Sequence, residues 1–248
     1  MKAIITDLDR TLLRTDKSIS EYTVHMLKKC RERGLLIMAA SARPMRAIHE
    51  YNDLIGFDAI TSLNGAIIYL PDNKMEFGIR PESGEKILSD ILLYPDVFLS
   101  IETSAALYSN RNFPLWRPVL YDNFPKLPEN TVLYKILASS ENKQLYEGIE
   151  SILTGDVYHT IAENELIQVM SNNATKWNGI NHMLSHFNIS PGDAIYFGDD
   201  NDDIEPIKNC GLGIAVSNAI LSVLDVADRI IDSNDMDGVA KFIEGNIL

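Results

Sequence analysis

Residues 1–10 read MKAIITDLDR, a short apolar run, Ala3-Ile4-Ile5, that ends in carboxylates. A buried parallel strand ends this way at its carboxyl end. Asp7 and Asp9 stand two residues apart there, a spacing expected to place both carboxylates on one side. Like charges so placed repel, so the pair calls for a cation or a shared proton. An ordinary charged strand end would carry the same residues. Working outward, Ser20 is suited to cap a helix with Val24, Leu27 and Cys30 at three-residue spacing, and Gly34 to stop it. Leu35 to Ala40 reads as a second strand. Pro44 then opens a helix carrying Ile48, Tyr51 and Leu54 and closed by Gly56, and Ala59 to Leu63 is a third strand. This β-α-β-α-β alternation predicts an α/β fold with a doubly wound, Rossmann-like parallel sheet.

The middle of the chain has a different character. Phe98 to Glu102 and Leu107 to Ser109 are β-like around a Thr103-Ser104 turn. Pro114, Pro118, Pro125 and Pro128, beside Phe113, Trp116 and Tyr121, mark residues 111–131 as a long loop or sheet edge. Val132 to Ala138 and Leu166 to Met170 read as strands with a helix near residues 141–153 between them. The alternation then resumes. Trp177, Ile180, Leu184 and Phe187 share a helical face, and Ala194 to Phe197 is a strand. Leu212 to Val216 is another, followed by a helix from Ala219 and a short strand at Arg229–Ile231. The expected organisation is one core of residues 1–82 and 172–248, interrupted by an inserted α+β cap over residues 83–171.

Composition narrows the function classes. Of 248 residues, 46% are hydrophobic and 23% charged, which suits a packed core and argues against disorder. A formal net charge of -13 gives no global attraction for nucleic acid or an anionic membrane. An anionic substrate stays compatible, because a metal and one lysine reverse the field locally. No run of 18 apolar residues and no cleavable leader pattern occur, so a soluble cytoplasmic protein is expected. Cys30 and Cys210 are expected to be buried, reduced thiols, and neither has metal-ligand spacing.

Gly198-Asp199-Asp200-Asn201-Asp202-Asp203 forms a second acidic cluster, again directly after an apolar strand. Such oxygen-rich clusters suit a hard cation such as Mg²⁺. An EF-hand loop is excluded, since Ile204 and Cys210 stand where glycine and glutamate are required. Asp202 and Asp203 also suit capping of the next helix. Two acidic clusters at two strand ends, from opposite ends of the chain, are hard to explain as two accidents, and open α/β sheets bind ligands at such ends. Ser41-Ala42-Arg43-Pro44 lies at a third strand end. A hydroxyl beside free helix amides makes an anion site, although a plain serine cap reads the same. Lys176 opens a helix, where a cation opposes the macrodipole. A phosphate-binding role explains that placement; so does a solvent-facing side chain. Asn64-Gly65-Ala66 reads as a turn.

Asp7-Leu8-Asp9-Arg10-Thr11, Ser41, Lys176 and the Gly198–Asp203 cluster occur in the order of the four motifs of haloacid dehalogenase-like hydrolases. The chain resembles the Cof-like branch of Mg-dependent phosphatases, with further likeness at Asn64-Gly65-Ala66, at residues 213–219 and at residues 233–239. The resemblance implies Asp7 as nucleophile, forming an aspartyl phosphate, and Asp9 as acid and base. It implies Mg²⁺ on the Asp7 carboxylate, the Asp9 main-chain carbonyl and the Asp199 carboxylate. Ser41 and the Ala42 amide would grip phosphoryl oxygens, and Lys176 would neutralise phosphate and Asp7. At the position of Asp202 the family often has an asparagine that helps to hold phosphate.

This sequence departs from that pattern at Arg10, where glycine is common, at Ala42, at Trp177, again for a glycine, and at Asp202. The expected substrate is a small phosphate ester, such as a sugar phosphate, handled by a monomer or homodimer with no nucleic-acid or membrane partner. The competing readings are a phosphomutase of the same superfamily and a phospho-accepting signalling module. The latter needs neither cap nor Lys176. Selectivity is expected in the cap, where Arg111, Trp116 and Arg117 are candidates.

Overall fold

The computed structural model describes residues 1–113, 116–162 and 165–248. Two compact units form: residues 1–75 with 175–248, and residues 76–174. The second unit therefore takes in residues 76–82, which the sequence reading assigns to the core, and residues 172–174 as well.

In the first unit, β1 (Ala3–Thr6), β2 (Leu36–Ala40), β3 (Ala59–Ser62), β4 (Ile67–Tyr69) and β5 (Lys74–Glu76) come from the front of the chain. β12 (Ala194–Gly198), β13 (Leu212–Val216) and β14 (Arg229–Ile231) come from its end. The eight lie in the order β14-β13-β12-β1-β2-β3-β4-β5. From β14 to β3 every pairing is parallel, whereas β4 returns antiparallel to β3. Helices cover both faces, as expected for a doubly wound sheet. α1 (Glu21–Glu32), α2 (His49–Ile55) and α8 (Gly238–Asn246) enclose Ile4, Ile37, Ile60, Phe197 and Ile214. α5 (Lys176–His186) and α6 (Ile204–Asn209) lie against the other face, and α7 (Leu221–Leu224) packs beside α6.

Local chemistry explains most boundaries. Ser20 Oγ accepts from Thr23 N–H at 3.0 Å and caps α1. Gly34 and Gly56 take positive φ of 83° and 71°, where a Cβ would be strained. Pro44 does not open a helix: it precedes a 3₁₀ turn over Met45–Ala47, and α2 begins only at His49. Ile48 and Tyr51 are buried as expected, whereas Leu54, expected on the same apolar face, is half exposed and Ile55 is buried in its place. On α5 the buried face is Lys176, Gly179, Ile180, Met183 and Leu184.

In the second unit, β6 (Phe98–Thr103), β7 (Leu107–Ser109), β8 (Val119–Leu120), β9 (Leu133–Ser139), β10 (Val157–Ala162) and β11 (Leu166–Ser171) lie in the order β10-β11-β9-β6-β7-β8. Leu99, Ile101, Ile136 and Val169 pack on one side against Ile87 and Leu88 of α3 (Pro81–Ile91) and Leu145 and Ile149 of α4 (Gln144–Ile152). The proline-rich stretch supplies only the two-residue edge strand β8, as a loop or sheet edge should; Pro114 lies outside the described residues. Among the described residues, no helix is long and apolar enough to cross a membrane.

Candidate active site

β12, β1, β2 and β3 are consecutive in the sheet, so residues just beyond their carboxyl ends converge. Past β1 the chain turns at once. Asp7 N–H donates to Phe197 O at 2.9 Å, and residues Leu8–Leu12 form a single π-helical turn. Leu8, Leu12 and Leu13 drop into the core, each contributing about 1.5–3 kcal/mol and fixing the turn that carries the acids. Arg10 takes φ 59° within it, the conformation that glycine adopts most easily, and its carbonyl accepts from Asn218 Nδ2 at 2.8 Å.

Asp7 is buried, with Oδ1 2.7 Å from Lys176 Nζ. Lys176 is 4% exposed, so the solvent-facing alternative does not hold. Thr175 caps α5 by accepting from Asn178 N–H at 3.1 Å, and Lys176 is its first helical residue. The charge misplaced on the helix dipole is offset by two carboxylates, Asp7 and, at 2.6 Å, Asp203. Burial alone would depress the lysine pKa; the Asp203 and Asp7 charges outweigh it and hold Lys176 well above its usual range, as ammonium.

A glycine sets this placement. A Cβ on Gly65 would lie 2.1 Å from the Thr175 carbonyl oxygen, and Gly65 has φ 103°. The Asn64-Gly65 turn is thus the surface on which the start of α5 rests. Gly65→Ala is expected to cost roughly 3 kcal/mol in urea unfolding, from overlap plus positive-φ strain, and to lower activity by displacing Lys176. Wild-type stability in that variant would show that the contact is slack.

Asp203 makes no side-chain cap on α6, contrary to the sequence expectation; its carboxylate serves the preceding loop and Lys176. Its Oδ2 accepts from the N–H groups of Asp199 and Asp200 at 2.9 and 3.0 Å. Its Oδ1 accepts from Lys176 Nζ and from Tyr196 OH, both at 2.6 Å. Both oxygens are thereby filled by protein donors. Among the described residues Asp199 spends one oxygen, with Thr11 Oγ1 donating to Oδ1 at 2.6 Å. Burial, with Asp203 adding to it against the opposing Thr11 hydrogen bond, raises Asp199 to about 6. Burial likewise raises Asp7 well above the usual carboxylate range, opposed by Lys176 and reinforced by Asp203 and Asp199.

Asp7, Asp199 and Asp203 offer oxygens that all lie within 4.8 Å of one another. With all three ionised, the one ammonium bonded to them among the described residues leaves two negative charges uncompensated, the charge of one divalent cation. Among the described residues no hydrogen bond reaches Asp7 Oδ2 or Asp199 Oδ2, and hard oxygen donors are what Mg²⁺ takes. The residues present fit that ion, with Asp7 and Asp199 as the carboxylates able to hold it.

Asp9 behaves differently from the sequence expectation. Its carboxylate does not share the Asp7 cluster; it receives Arg43 Nε at 2.6 Å, Arg43 Nη2 at 2.8 Å and Lys17 Nζ at 2.7 Å. Asp9 has non-helical backbone angles inside the turn, and this breaks the strand alternation that would have aligned the two acids. Burial would raise its pKa, but the Arg43 and Lys17 hydrogen bonds and charges hold it at about 2. Arg43 in turn stacks over Tyr51, 5.4 Å from the ring centre.

Ser41 is buried, and its Oγ accepts from Arg43 N–H at 3.2 Å; its main chain is tied to Thr61 and Asn64. It caps no helix: the 3₁₀ turn that follows has Pro44 at its N-cap position and α2 has Ile48. Ala42, next to it, is exposed. Asp202 Oδ2 accepts from Asn64 Nδ2. Thr11 and Arg43 stand within the sequence motifs without an assigned contact, and Lys17, Tyr196 and the Lys176-binding role of Asp203 escaped the sequence reading. The one local signal among them was Tyr196, a phenol in a buried strand that must find a partner.

The description haloacid dehalogenase-like hydrolase matches residues 4–243. The chloroplastic endoribonuclease YBEY of Arabidopsis thaliana is 28% identical over 97% of this chain, which spans only 45% of that longer protein. A phosphoglycolate phosphatase of Methanopyrus kandleri is 25% identical, with 97% of this chain and 94% of that protein aligned. A solved haloacid dehalogenase-like hydrolase from B. subtilis shares the fold at a TM-score of 0.87 and 21% identity, over 100% of both chains. With its motifs and fold matched from end to end, this chain belongs to the haloacid dehalogenase-like hydrolases.

Proposed function

We propose that this chain is a magnesium-dependent phosphatase of small phosphorylated metabolites, sugar phosphates being the expected class, acting through an aspartyl phosphate on Asp7. The observation that carries this reading is the Asp7 carboxylate: buried, paired through one oxygen to Lys176, and with no hydrogen bond to its other oxygen among the described residues. The phosphoglycolate phosphatase of Methanopyrus kandleri, 25% identical, aligns along almost the whole chain.

Asp7 Oδ2 attacks phosphorus as the bond to the leaving oxygen breaks. Asp9 supplies the leaving oxygen with a proton, then takes one from the water that attacks the aspartyl phosphate and regenerates Asp7. With its pKa held at about 2, Asp9 is ionised at neutral pH and ready as a base. To serve as acid it takes up a proton as Arg43 and Lys17 give way. Lys176, the Ser41 hydroxyl and the Ala42 amide stabilise the phosphoryl oxygens. Mg²⁺, held by Asp7, Asp199 and the Asp9 carbonyl, would supply neutralisation of the charge on the transferred group. Asp202, hydrogen-bonded to Asn64, stands as a further phosphate-side residue. Substrate selection is assigned to the inserted unit of residues 76–174. Exchanging that unit for a relative's should shift preference across a panel of phosphate esters.

Turnover is expected to require Mg²⁺, and Asp199→Asn to raise the Mg²⁺ concentration needed by about 100-fold or more. Phosphate release measured over a metal titration checks both. Full turnover in excess chelator would overturn the reading.

A further inference from the structure

We propose that Tyr196 is a positioning residue for the reaction, acting through Asp203 to keep the Lys176 ammonium on the nucleophile Asp7. The inference rests on the phosphatase reading above and adds a residue to it.

The strand places Tyr196 for this role. Ile195 and Phe197 alternate into the core under α1 and α8, so Tyr196 faces the opposite side of the sheet, which α5 and α6 cover. Its ring is fully buried, and its hydroxyl donates to Asp203 Oδ1 at 2.6 Å. The same oxygen receives Lys176 Nζ at 2.6 Å, and Lys176 reaches Asp7 Oδ1 at 2.7 Å. Asp203 is itself 0% exposed and sits against Gly198, where a Cβ would lie 2.5 Å from its own Cβ. Four hydrogen bonds, two on each oxygen, hold its carboxylate toward these donors.

The physical consequence is a division of charge. Asp203 Oδ1 with Lys176 as its sole partner would hold the ammonium tightly, in competition with Asp7. A second, uncharged donor on that oxygen takes up part of its negative potential and leaves the ammonium shared between two carboxylates. Burial and the Asp203 and Asp7 charges raise the phenol pKa, so the hydroxyl keeps its proton and stays a donor. Tyr196 thus touches neither substrate nor metal, yet it helps set how much of the Lys176 charge reaches Asp7 and the phosphoryl group.

The test is a double-mutant cycle on Tyr196→Phe and Asp203→Asn, using an aryl phosphate and acid-quench trapping of phosphorylated Asp7. Tyr196→Phe alone is expected to lower kcat and the rate of Asp7 phosphorylation by about 10- to 100-fold, the worth of a hydrogen bond to a charged group, with KM little changed. In the Asp203→Asn background the same change should add no more than about twofold. A kcat for Tyr196→Phe within about twofold of wild type, or its full effect persisting without the Asp203 carboxylate, would overturn the proposal. So would a loss fully accounted for by unfolded protein, with a normal rate per folded site. Should the wild-type protein release phosphate from no ester, the phosphatase reading fails. The positional claim is then decided by urea unfolding of a Tyr196→Phe, Lys176→Met cycle: coupling supports it, and strict additivity rejects it.

Discussion

Replacing Asp7 with Asn is expected to abolish both turnover and covalent phosphorylation. The amide oxygen is a very poor nucleophile, although it can still accept from Lys176 across the same 2.7 Å contact. Asp9→Asn is expected to behave differently. It keeps the main-chain carbonyl assigned to the metal, so Mg²⁺ affinity should change little, but it loses proton transfer, worth about 10²–10⁴-fold. An aryl phosphate needs little protonation to leave, so with it the Asp9 variant should still form the intermediate and hydrolyse it slowly. Hydroxylamine trapping with mass spectrometry locates the phosphorylated residue. Label on a residue other than Asp7, or equal label in both variants, would reverse the assignment. The Asp9 change also has a signed cost in stability. The folded pKa of about 2 lies below the unfolded value of about 3.9. Its ion pairs therefore stabilise the wild type above pH 4 and lose that contribution as pH falls toward 2. The effect is small because both Asp9 and Lys17 are partly exposed.

Lys176→Met is the second large effect, and it is read in stability as well as rate. The substitution removes from Asp7 and Asp203, 5% and 0% exposed, the cation that among the described residues is bonded to both. Removing one partner of a buried ion pair typically costs about 3–5 kcal/mol, because an uncompensated charge remains in the interior. Urea unfolding of the metal-free protein should show a loss of that order. Added Mg²⁺ should return part of it, since a ligand that binds only the folded state stabilises it by mass action. A loss below about 1 kcal/mol, the range of an exposed pair, would mean that Lys176 is not the counter-charge of the cluster.

Much of the fold was legible because the signals were local. The period-2 and period-3.6 apolar patterns, Ser20, Gly34 and Gly56 identified the core elements to within a residue or two at most ends. The elements passed over were β4, which returns antiparallel to β3, then β5, β10, α8 and α3. The last carried its own signals: Pro81 at the start, then Ser83, Ile87, Leu88 and Ile91 buried at helical spacing. Setting the boundary at 83 cut through them. Leu54 and Pro44 misled because their places on the α2 face and at its start depended on a 3₁₀ turn that no periodicity announces.

The sequence by itself determined which strand ends carry acids and that Lys176 opens a helix. It also determined that Asp7, Asp199 and Lys176, far apart in the chain, belong to one family pattern. Those are properties of residue type and spacing, and they survive without coordinates. Only the tertiary structure decided which groups meet. The Asp9 carboxylate leaves Asp7 for Arg43 and Lys17 because the turn after β1 breaks strand alternation. Asp203 becomes the hub of Lys176, Tyr196 and the Asp199 loop because parallel pairing of β1 with β12 brings Thr6 beside Phe197. Lys176 reaches both acids because Gly65, lacking a Cβ, lets Thr175 approach. The contacts of Arg43 with Asp9, of Lys176 with Asp7 and Asp203, and of Gly65 with Thr175 join residues remote in sequence. Their geometry follows from sheet register and close packing, neither of which a local pattern encodes.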